Sequence, residues 1–456
     1  MASYNSQSFF IQHHPIEGYE DAVKKRYLQG LSFFLQRFCK DDPKVKNVFM
    51  AWGLSILGED KCCVKWITSL PIMGKAFLAE VSEDVCIEAI KWPIRIHRKG
   101  FSLFSLRVPF LFDCFYLLEK SGKINNNNFV KSRDIDYLRD TYSFLHDKVC
   151  GLFSKGDLKY IYEFFLSSSG TDPEHRIPTQ LESHRKSDLL FYNRKLKRVL
   201  IVASTNAGKS TLINAIVGKK INSVSAMACT NREREIFNKL SDEPVVLASE
   251  NEVILTGDEK VCRDEKYNKI YLRFDSDLKN ENICLIDSPG ANNSRDENHQ
   301  KITHKLIKDN KYDILVFVSD ATNNMSCDEK SLLDFVIKES RKKIIVCLNK
   351  CDCFDPDDDS IQNVVSQLKH DLQSCKKSKI DIIPISAEAA YIFKKNNSHL
   401  KLSPRETFLL KEYSSIFSKP YYSLEKYGTS HQGPSRGLIG HTGINSIEYI
   451  IKSYSI

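Results

Sequence analysis

The sequence predicts two domains of different class: an all-α domain over residues 1–166 and an α/β domain over residues 195–456, joined by a linker over 167–194. In the first part, apolar residues recur every three or four positions, which indicates a bundle of helices. From Lys195 onwards, short apolar runs alternate with amphipathic stretches, the βαβ pattern of a mostly parallel sheet with helices on both faces. The stretch between the domains is polar and contains glycine and two prolines, which favours a linker.

The helical prediction depends on apolar stripes along the first 166 residues. One stripe comprises Tyr19, Val23, Tyr27, Leu31, Phe34 and Phe38, and others occupy 45–57, 77–90, 101–118, 135–149 and 158–166. Arg107, Pro109 and Asp113 interrupt the most apolar of them, so we interpret 101–118 as a buried helix pair and not as a membrane span. No motif in this domain carries chemistry, and we expect it to select a partner.

Binding of a nucleoside triphosphate is predicted by the loop Ala203–Ser210, ASTNAGKS, which follows the apolar run VLIV and precedes the helix-like TLINAIVGKK. Such a loop points backbone N–H groups at phosphates, and the helix dipole adds positive charge. The residues assigned to phosphate contact are Asn206, Ala207, Gly208, Lys209, Ser210 and Thr211. Lys209 is expected to reach the β- and γ-phosphates, and Ser210 to ligate Mg²⁺. The usual pattern begins with glycine; because Ala203 adds one methyl group, we expect the loop to be retained.

Specificity for guanine is predicted by Asn349-Lys350-Cys351-Asp352, which follows the strand-like run at 343–348. The Asp352 carboxylate can accept hydrogen bonds from N1–H and the 2-amino group of guanine, and adenine offers no such pair of donors. We expect Asn349 to contact the base and to brace the phosphate loop, while the Lys350 stem covers the ring. A backbone N–H of Ser386-Ala387, after the run at 382–385, is expected to meet guanine O6.

A magnesium site is predicted by Asp287-Ser288-Pro289-Gly290, which ends the strand-like run at 283–286. Asp287 is expected to hold Mg²⁺ through water, and the Gly290 N–H to contact the γ-phosphate. Thr230 follows the first helix of this domain by a short loop, in the place where a threonine closes over the ion. The residues predicted to act in catalysis are Lys209, Ser210, Thr230 and Asn206.

Composition is that of an ordinary water-soluble protein. The 456 residues are 42% hydrophobic and 27% charged, and the formal net charge of +8 permits an acidic partner without indicating one. The 14 cysteines are scattered and form no zinc pattern. The first residues lack the basic start and apolar core of a signal peptide. We therefore expect reduced thiols and a cytoplasmic protein.

These motifs, in this order, resemble the guanine-nucleotide-binding domain of P-loop GTPases over about residues 195–456. The segments NAGKSTLINAI, IDSPG, DATNNMSCDEKSLLDFV and PISAEAA are similar to those of bacterial dynamin-like and mitofusin-like GTPases. The resemblance implies hydrolysis of GTP with Mg²⁺ and a homodimer formed through the GTPase domain. It also implies an insertion at about 394–441, before a last helix that opens at Thr442-Gly443 and carries Ile444, Ile447, Tyr449, Ile450 and Ile451.

One feature qualifies the dynamin-like interpretation. The sequence stops after that helix, where dynamin-like proteins continue into a helical stalk, so assembly into membrane-remodelling coats is in doubt. The N-terminal domain is then the expected contact with a partner protein or with a membrane surface, as a peripheral membrane protein.

The source of the water-positioning group is open. Small signalling GTPases have Gln where this chain has Ala291, whose methyl group cannot orient water. In GTPases activated by nucleotide-dependent dimerisation, an Asn at the position of Asn206 ligates K⁺ in place of an arginine finger. We hypothesise the same here; the alternative is that Asn206 only hydrogen-bonds within the loop. Further candidates are the arginines Arg232 and Arg234, and His299 and His304, which we interpret as part of a solvated helix.

Two alternatives to a dynamin-like switch stay open. An Era-like GTPase acting on the ribosome or RNA shares the NAGKS and NKxD motifs, but the sequence contains no recognisable RNA-binding module, so nucleic acid is disfavoured. The other alternative is a GTP-binding scaffold with negligible hydrolysis, which is motivated by Ala203 and Ala291.

Overall fold

The computed structural model describes residues 14–39, 43–57, 61–73, 87, 89–90, 106–120, 141–147, 155–167, 171–192, 195–222, 233–239, 245–249, 253–256, 260–264, 266–290, 297–323, 326–357, 360–373, 380–428 and 437–455. The chain divides into two compact domains, Met1–Arg194 and Lys195–Ile456. The predicted start of the α/β domain at 195 coincides with this division.

The described part of the first domain is helical, as its apolar stripes predict. Its helices are α1 Asp21–Cys39, α2 Pro43–Leu57, α3 Lys61–Thr68, α4 Arg107–Lys120, α5 Lys155–Leu166 and α6 Thr179–Tyr192, and residues 141–147 are also helical. Tyr27, Leu31 and Phe34 of the first stripe are buried. The prediction for 77–90 falls almost wholly outside the described residues. No helix among the described residues has both the length and the apolar character needed to cross a bilayer.

Asp113, which interrupts the most apolar stripe, belongs to a buried polar cluster. Asp113 on α4 is fully buried. Its Oδ2 accepts a hydrogen bond of 2.6 Å from the Tyr27 hydroxyl and lies 3.1 Å from Nε2 of His14. A buried carboxylate needs such partners, because burial without them costs several kcal/mol, of the order of 3–5. Asp113 therefore belongs to the core of the bundle, although its sequence position resembles an interruption.

The linker predicted over 167–194 is wrong for most of its length, because residues 179–192 form helix α6. Leu181 and Arg185 of this helix are buried. The Arg185 guanidinium lies 4.2 Å from the centroid of the Phe165 ring on α5, and the Tyr116 hydroxyl is 2.7 Å from Nε2 of His184. Here a cation packs against aromatic rings inside the domain. Because the segment is polar, apolar periodicity does not detect this packing.

The second domain is built on a nine-stranded sheet. Its strands are β1 Lys197–Ala203, β2 Arg234–Asn238, β3 Val245–Ala248, β4 Val253–Thr256, β5 Lys269–Leu272, β6 Ile283–Asp287, β7 Ile314–Asp320, β8 Lys343–Asn349 and β9 Asp381–Pro384. Their order in the sheet is β4-β3-β5-β2-β6-β1-β7-β8-β9. The five strands from β6 to β9 in this order are parallel, and β2 is antiparallel to β6. The mostly parallel sheet of the prediction is confirmed.

The helices of this domain follow the strands. They are α7 Lys209–Val217, α8 Glu297–Asp309, α9 Cys327–Glu339, α10 Ile361–Gln373, α11 Ala387–Asn397, α12 Pro404–Phe417, α13 Gly437–His441 and α14 Ile444–Ser453. Because β1 and β6–β9 run parallel, their carboxyl ends meet at one edge of the sheet. The loops that leave this edge after β1, β6, β8 and β9 carry the described motifs, at 203–210, 287–290, 349–352 and 386–387.

The last helix and the segment before it differ from the prediction in detail. Helix α14 starts after Gly443, as predicted, and buries Ile444, Ile447, Ile450 and Ile451, but Tyr449 faces solvent with 41% of its surface exposed. The polar stretch 394–441 contains helix α12, whose start has a capping box: Ser403 accepts from the Glu406 N–H and Glu406 accepts from the Ser403 N–H. The insertion is therefore structured within the domain.

Two lysines tie α14 to the rest of the domain. Lys394 on α11 forms a buried ion pair with Glu448 on α14 and donates 2.7 Å to the Ala215 carbonyl. Burial raises the pKa of Glu448, and Lys394 opposes this rise. Lys197 on β1 donates to the carbonyls of Ile451 at 2.6 Å and Lys452 at 2.9 Å, at the negative end of the α14 dipole.

Lys394→Met is expected to lower the free energy of unfolding of the second domain by about 3–5 kcal/mol, because it leaves the Glu448 carboxylate buried without its cation. All three tryptophans, Trp52, Trp66 and Trp92, lie in the first domain, so unfolding of the second is best followed by far-UV circular dichroism.

Two variants control this measurement. Lys394→Met combined with Glu448→Leu replaces the whole pair by apolar groups and is expected to recover to within about 1 kcal/mol of the wild type. Lys266→Met removes one partner of an exposed pair with Asp264 and is expected to cost less than about 1 kcal/mol. A Lys394→Met variant as stable as Lys266→Met would contradict the prediction.

Candidate functional site

The phosphate loop has the strand, loop and helix arrangement that the sequence predicts. Ala203 is the last residue of β1, is fully buried and pairs with Val318 of β7. Its φ is not positive, so glycine is not required there. Asn206 and Gly208 have φ of 68° and 94°, in the left-handed region that asparagine and glycine tolerate best. The replacement of the usual first glycine by alanine therefore places a small side chain in the core and leaves the loop intact.

Asn349 connects three loops of the site. Its Nδ2 donates 3.0 Å to the Ala207 carbonyl, and its Oδ1 accepts 3.0 Å from the Ala387 N–H. A Cβ at Gly208 would lie 2.1 Å from Nδ2, so glycine is required by this close approach as well as by its φ. The expected bracing of the phosphate loop is confirmed. The Ala387 N–H, expected at guanine O6, donates here to Asn349, so it would have to exchange or share that acceptor on binding a base.

Lys209 and Asp287 are paired with each other across the site. Both are buried, and the Lys209 ammonium donates to Oδ1 of Asp287. The other carboxylate oxygen accepts 2.9 Å from Nδ2 of Asn222. Lys209 is thus held at the carboxyl ends of β1 and β6, where phosphates are expected, and it would exchange the carboxylate for phosphate oxygens when a nucleotide binds.

The hydrogen-bond network extends beyond Asp287. Oδ1 of Asn222 accepts 2.9 Å from Arg234, whose guanidinium also donates 2.7 Å to the Cys262 carbonyl. Asn214 on α7 holds the turn, because its Oδ1 accepts from the N–H groups of Ile221 and Asn222 at 3.0 Å. Arg234 is only 3% exposed and fully engaged, so the hypothesis that it acts as an arginine finger is wrong.

The end of the site predicted to bind the base is lined by acidic groups. Lys350 has a positive φ of 66°, and its ammonium lies 2.5 Å from Oδ2 of Asp320 at the end of β7. Burial acts to raise the pKa of Asp320, but hydrogen bonds from Lys350 and Thr322 outweigh it, and the pKa lies below its ordinary value. This pair fixes the Lys350 stem beside the predicted base position.

Asp352 lies beyond Lys350 and has neighbours from the insertion. The hydroxyl of Tyr413 on α12 donates 3.0 Å to Oε2 of Glu388. Burial, followed by the charges of Asp352 and Glu388, raises the pKa of Tyr413. Burial and the Asp352 charge raise the pKa of the Cys353 thiol to about 11, so this thiol is protonated at neutral pH. The charge of Asp352 thus acts on the Tyr413 hydroxyl of α12, which is hydrogen-bonded to Glu388.

A buried carboxylate beneath the phosphate loop was missed from the sequence. Glu329 on α9 is 3% exposed. Its Oε1 accepts 2.6 Å from the Ser204 hydroxyl, and its Oε2 accepts 3.3 Å from the Ser319 hydroxyl. Ser204 and Glu329 are 125 residues apart, so no local pattern reveals the contact. The only sequence signal is the Ser326 to Glu329 spacing of a helix start, in which Ser326 accepts from the Glu329 N–H.

The turn after β6 is held by helix α8. The Thr303 hydroxyl donates 2.9 Å to the Pro289 carbonyl. His299 on the same helix is 3% exposed, and the His304 ring stacks on Phe335 of α9 with 3.9 Å between centroids. The helical interpretation of this segment is correct, but His299 is buried and His304 is only partly exposed. Burial, with the nearby Lys308 charge, lowers the pKa of His304.

The remaining predicted residues divide into two groups. Ser210 and Thr211 lie in the first turn of α7, and Ser386 caps α11 by accepting from the Ala389 N–H. Thr230, Arg232 and Ala291 lie outside the described residues. Within the described ranges no cluster of three or more His, Cys, Asp or Glu is arranged to hold a metal ion. The Asp287 carboxylate and the Ser210 hydroxyl are oxygen donors of the kind that suits Mg²⁺, which usually takes few protein ligands and completes its shell with phosphate oxygens and water.

Comparison with known proteins agrees with this geometry. Residues 198–350, which include the phosphate loop and the first two residues of the base-recognition segment, match the family described as "50S ribosome-binding GTPase". The chain contains a P-loop GTPase domain. The predicted fold class is thereby confirmed for the second domain.

The relatives of this GTPase domain belong to several groups. The chain is 25% identical over 193 residues to the "Probable transmembrane GTPase FZO-like, chloroplastic" of Arabidopsis thaliana, which covers 42% of this chain and 19% of that protein. It is 26% identical over 193 residues to GTPase Der of Porphyromonas gingivalis, covering 41% and 35%. GTPase Era of Aquifex aeolicus is 26% identical over 199 residues, covering 42% and 52%. The chain thus spans from 19% to 52% of the length of these relatives.

Solved structures with similarity to the chain include an Era and a bacterial dynamin. One is Era of Aquifex aeolicus bound to GDP·AlF4⁻, with 20% identity and a TM-score of 0.28, which covers 46% of this chain and 58% of that one. Another belongs to an oligomerised bacterial dynamin pair, with 16% identity and a TM-score of 0.35, covering 96% and 61%.

Proposed function

We propose that the chain binds GTP with Mg²⁺ and hydrolyses it to GDP and phosphate, as a dynamin-like switch activated by nucleotide-dependent dimerisation. The observation that carries the proposal is the meeting of Lys209, Asp287, Asn349 and Asp352 at one edge of the sheet. Each stands at or just beyond the carboxyl end of β1, β6 or β8, where nucleotides bind in α/β proteins.

Magnesium fits the donors that the chain offers. The Ser210 hydroxyl and the Asp287 carboxylate are hard oxygen ligands, and Thr230 is a third candidate from the sequence. When bound, Mg²⁺ neutralises the charge that develops on the phosphates during transfer. Lys209, released from Asp287, would hold the β- and γ-phosphates while Asn349 keeps the loop in place. The residues of this chain thus supply binding and orientation.

The proposal of K⁺ activation depends on Asn206. Its side chain is exposed and makes no hydrogen bond within the part of the chain that the structure describes. The alternative, that Asn206 bonds within its own loop, finds no support in these contacts. Its positive φ gives another reason for asparagine, since this residue type tolerates the left-handed region. A test must therefore separate the amide from the backbone conformation.

Asn206→Gly makes this separation, because glycine keeps the left-handed conformation and removes the amide. We expect the wild type to hydrolyse GTP faster per molecule as its concentration rises, in K⁺ and not in Na⁺. In Asn206→Gly the rate in K⁺ is expected to fall at least about tenfold, to the rate in Na⁺. The measurement is steady-state phosphate release across a concentration series, with size-exclusion chromatography in GDP and a GTP analogue.

A rate that is the same in K⁺ and Na⁺ and does not depend on protein concentration would contradict the dimer-activated mechanism. Tight GTP binding with turnover no higher than that of Lys209→Ala would favour the scaffold alternative.

A second candidate function is that of an Era-like GTPase acting on RNA or the ribosome. It is favoured by the family description of residues 198–350 and by the similarity to Era and Der. Co-sedimentation of the GTP-bound protein with 30S and 50S subunits and with anionic liposomes separates the two functions. Binding to liposomes alone supports the dynamin-like switch, with the N-terminal domain as the membrane or partner contact and a cytoplasmic, peripheral location.

A further inference from the structure

One hydroxyl in the phosphate loop has no partner. Oγ1 of Thr205 is buried, and no donor or acceptor within the described residues lies within hydrogen-bonding distance of it. Both neighbouring loop groups are satisfied: the Ser204 hydroxyl donates to Glu329, and the Ala207 carbonyl accepts from Asn349. The missing partner of this buried hydroxyl therefore does not reflect a loosely packed loop.

An unpartnered buried hydroxyl is uncommon in folded proteins, because burial removes its bonds to water without replacing them. Ser288, in the turn after β6, has a second such hydroxyl. No described contact locates the Ser288 hydroxyl relative to the phosphate loop, so the inference concerns Thr205 alone.

The position of the Thr205 hydroxyl is given by Gly290. A Cβ built on Gly290 would lie 3.5 Å from Thr205 Oγ1 and 4.0 Å from its Cα. The hydroxyl therefore faces the turn whose N–H is expected at the γ-phosphate. It stands where the loops after the adjacent strands β1 and β6 approach each other. As a hydroxyl, the Thr205 side chain can both donate and accept a hydrogen bond between these two loops.

We propose that the Thr205 hydroxyl positions the water that attacks the γ-phosphate. The inference rests on the proposed GTP hydrolysis and supplies the group that Ala291 cannot provide. Oγ1 accepts a hydrogen bond from the water and donates a hydrogen bond, without transferring its proton, to a γ-phosphate oxygen. The water oxygen then bonds to the γ-phosphorus, and the bond to the β–γ bridging oxygen breaks with its electron pair on GDP. The proton lost by the water passes to the inorganic phosphate, and Thr205 keeps its own.

Three variants test this assignment. Thr205→Val keeps the shape and removes the hydroxyl, Thr205→Ser keeps the hydroxyl, and Thr407→Val makes the same change at an exposed site on α12. The readouts are single-turnover GTP hydrolysis with protein in excess, the affinity for GDP, and the affinity for GDP with aluminium fluoride. The last two distinguish ground-state from transition-state binding.

Thr205→Val is expected to hydrolyse GTP about 10- to 100-fold more slowly, and to bind GDP with aluminium fluoride more weakly by a similar factor. Its affinity for GDP alone is expected to stay within about twofold of the wild type, since the lost contact is made only beyond the β-phosphate. Thr205→Ser is expected to recover most of the rate, and Thr407→Val to match the wild type.

If the wild type hydrolyses GTP and Thr205→Val does so at the same rate, this inference is overturned and the proposed function stands. Equal weakening of GDP and of GDP with aluminium fluoride also overturns it, since that pattern indicates a structural role. A wild type that binds no GTP, or binds it without turnover, overturns the proposed hydrolysis and this inference together.

Discussion

Lys209→Ala is expected to lower the affinity for GTP and GDP by about 100- to 1,000-fold. The ammonium would make charge-assisted hydrogen bonds to the phosphates, and bonds of this kind contribute roughly 1.5–3 kcal/mol each. The measurement is a titration with a fluorescent guanine nucleotide in Mg²⁺.

The pairing of Lys209 with Asp287 adds an effect on stability. Without the ammonium, the fully buried Asp287 retains only the amide of Asn222 among its described partners. We expect Lys209→Ala to lower the free energy of unfolding by about 3 kcal/mol in the absence of nucleotide. Adding Asp287→Asn removes the uncompensated charge, so the double variant is expected to regain stability without regaining affinity. A stable Lys209→Ala variant with normal nucleotide binding would refute both roles.

Asp352→Asn is expected to change the preferred base from guanine to xanthine. Guanine presents two donors to the carboxylate, whereas xanthine has a carbonyl in place of the 2-amino group. An asparagine amide can accept from N1–H and donate to that carbonyl. With two bonds to a charged acceptor weakened, the affinity for GTP is expected to fall at least about 100-fold, and the affinity for XTP to exceed it.

The matched control is Asp355→Asn, the same change at an exposed position three residues further on. It is expected to leave the preference for GTP over XTP as in the wild type. Competition of GTP and XTP for the same fluorescent nucleotide measures both variants. If Asp352→Asn kept the wild-type preference, Asp352 would not be the residue that recognises the base.

The parallel core of the second domain could be predicted because strands buried on both faces are continuous apolar runs, such as 199–202 and 344–348. The four-residue strands β3, β4 and β5 on the other side of the sheet were not predicted, because apolar runs as short as VVLA at 245–248 do not by themselves distinguish a strand from part of a helix. Helix α6 was not predicted, because its buried positions are not all apolar. Its buried positions include Arg185, whose cation packs on aromatic rings, so a count of apolar residues overlooks it.

The candidate site was predictable where backbone motifs define it, and not where distant side chains meet. The phosphate loop and the segment at 349–352 have fixed local spacing, so their positions at strand ends followed from the sequence. Glu329 under the loop and Tyr413 beside Asp352 come from other helices and depend on tertiary packing. Arg234 was wrongly considered a candidate catalytic arginine because of its charge and its place close to Thr230 in the sequence. Its guanidinium is hydrogen-bonded inside the domain.

The bond from Lys197 to the last helix has a consequence for how the protein is made. Lys197 and the carbonyl of Ile451 are separated by 254 residues. At roughly 5–20 residues per second, a ribosome delivers that acceptor about 13–50 s after the lysine. During this interval the nascent strand β1 carries its phosphate loop without the helix that completes the domain around it. We therefore expect β1 to gain this support from α14 only late in synthesis, after most of the domain has been made.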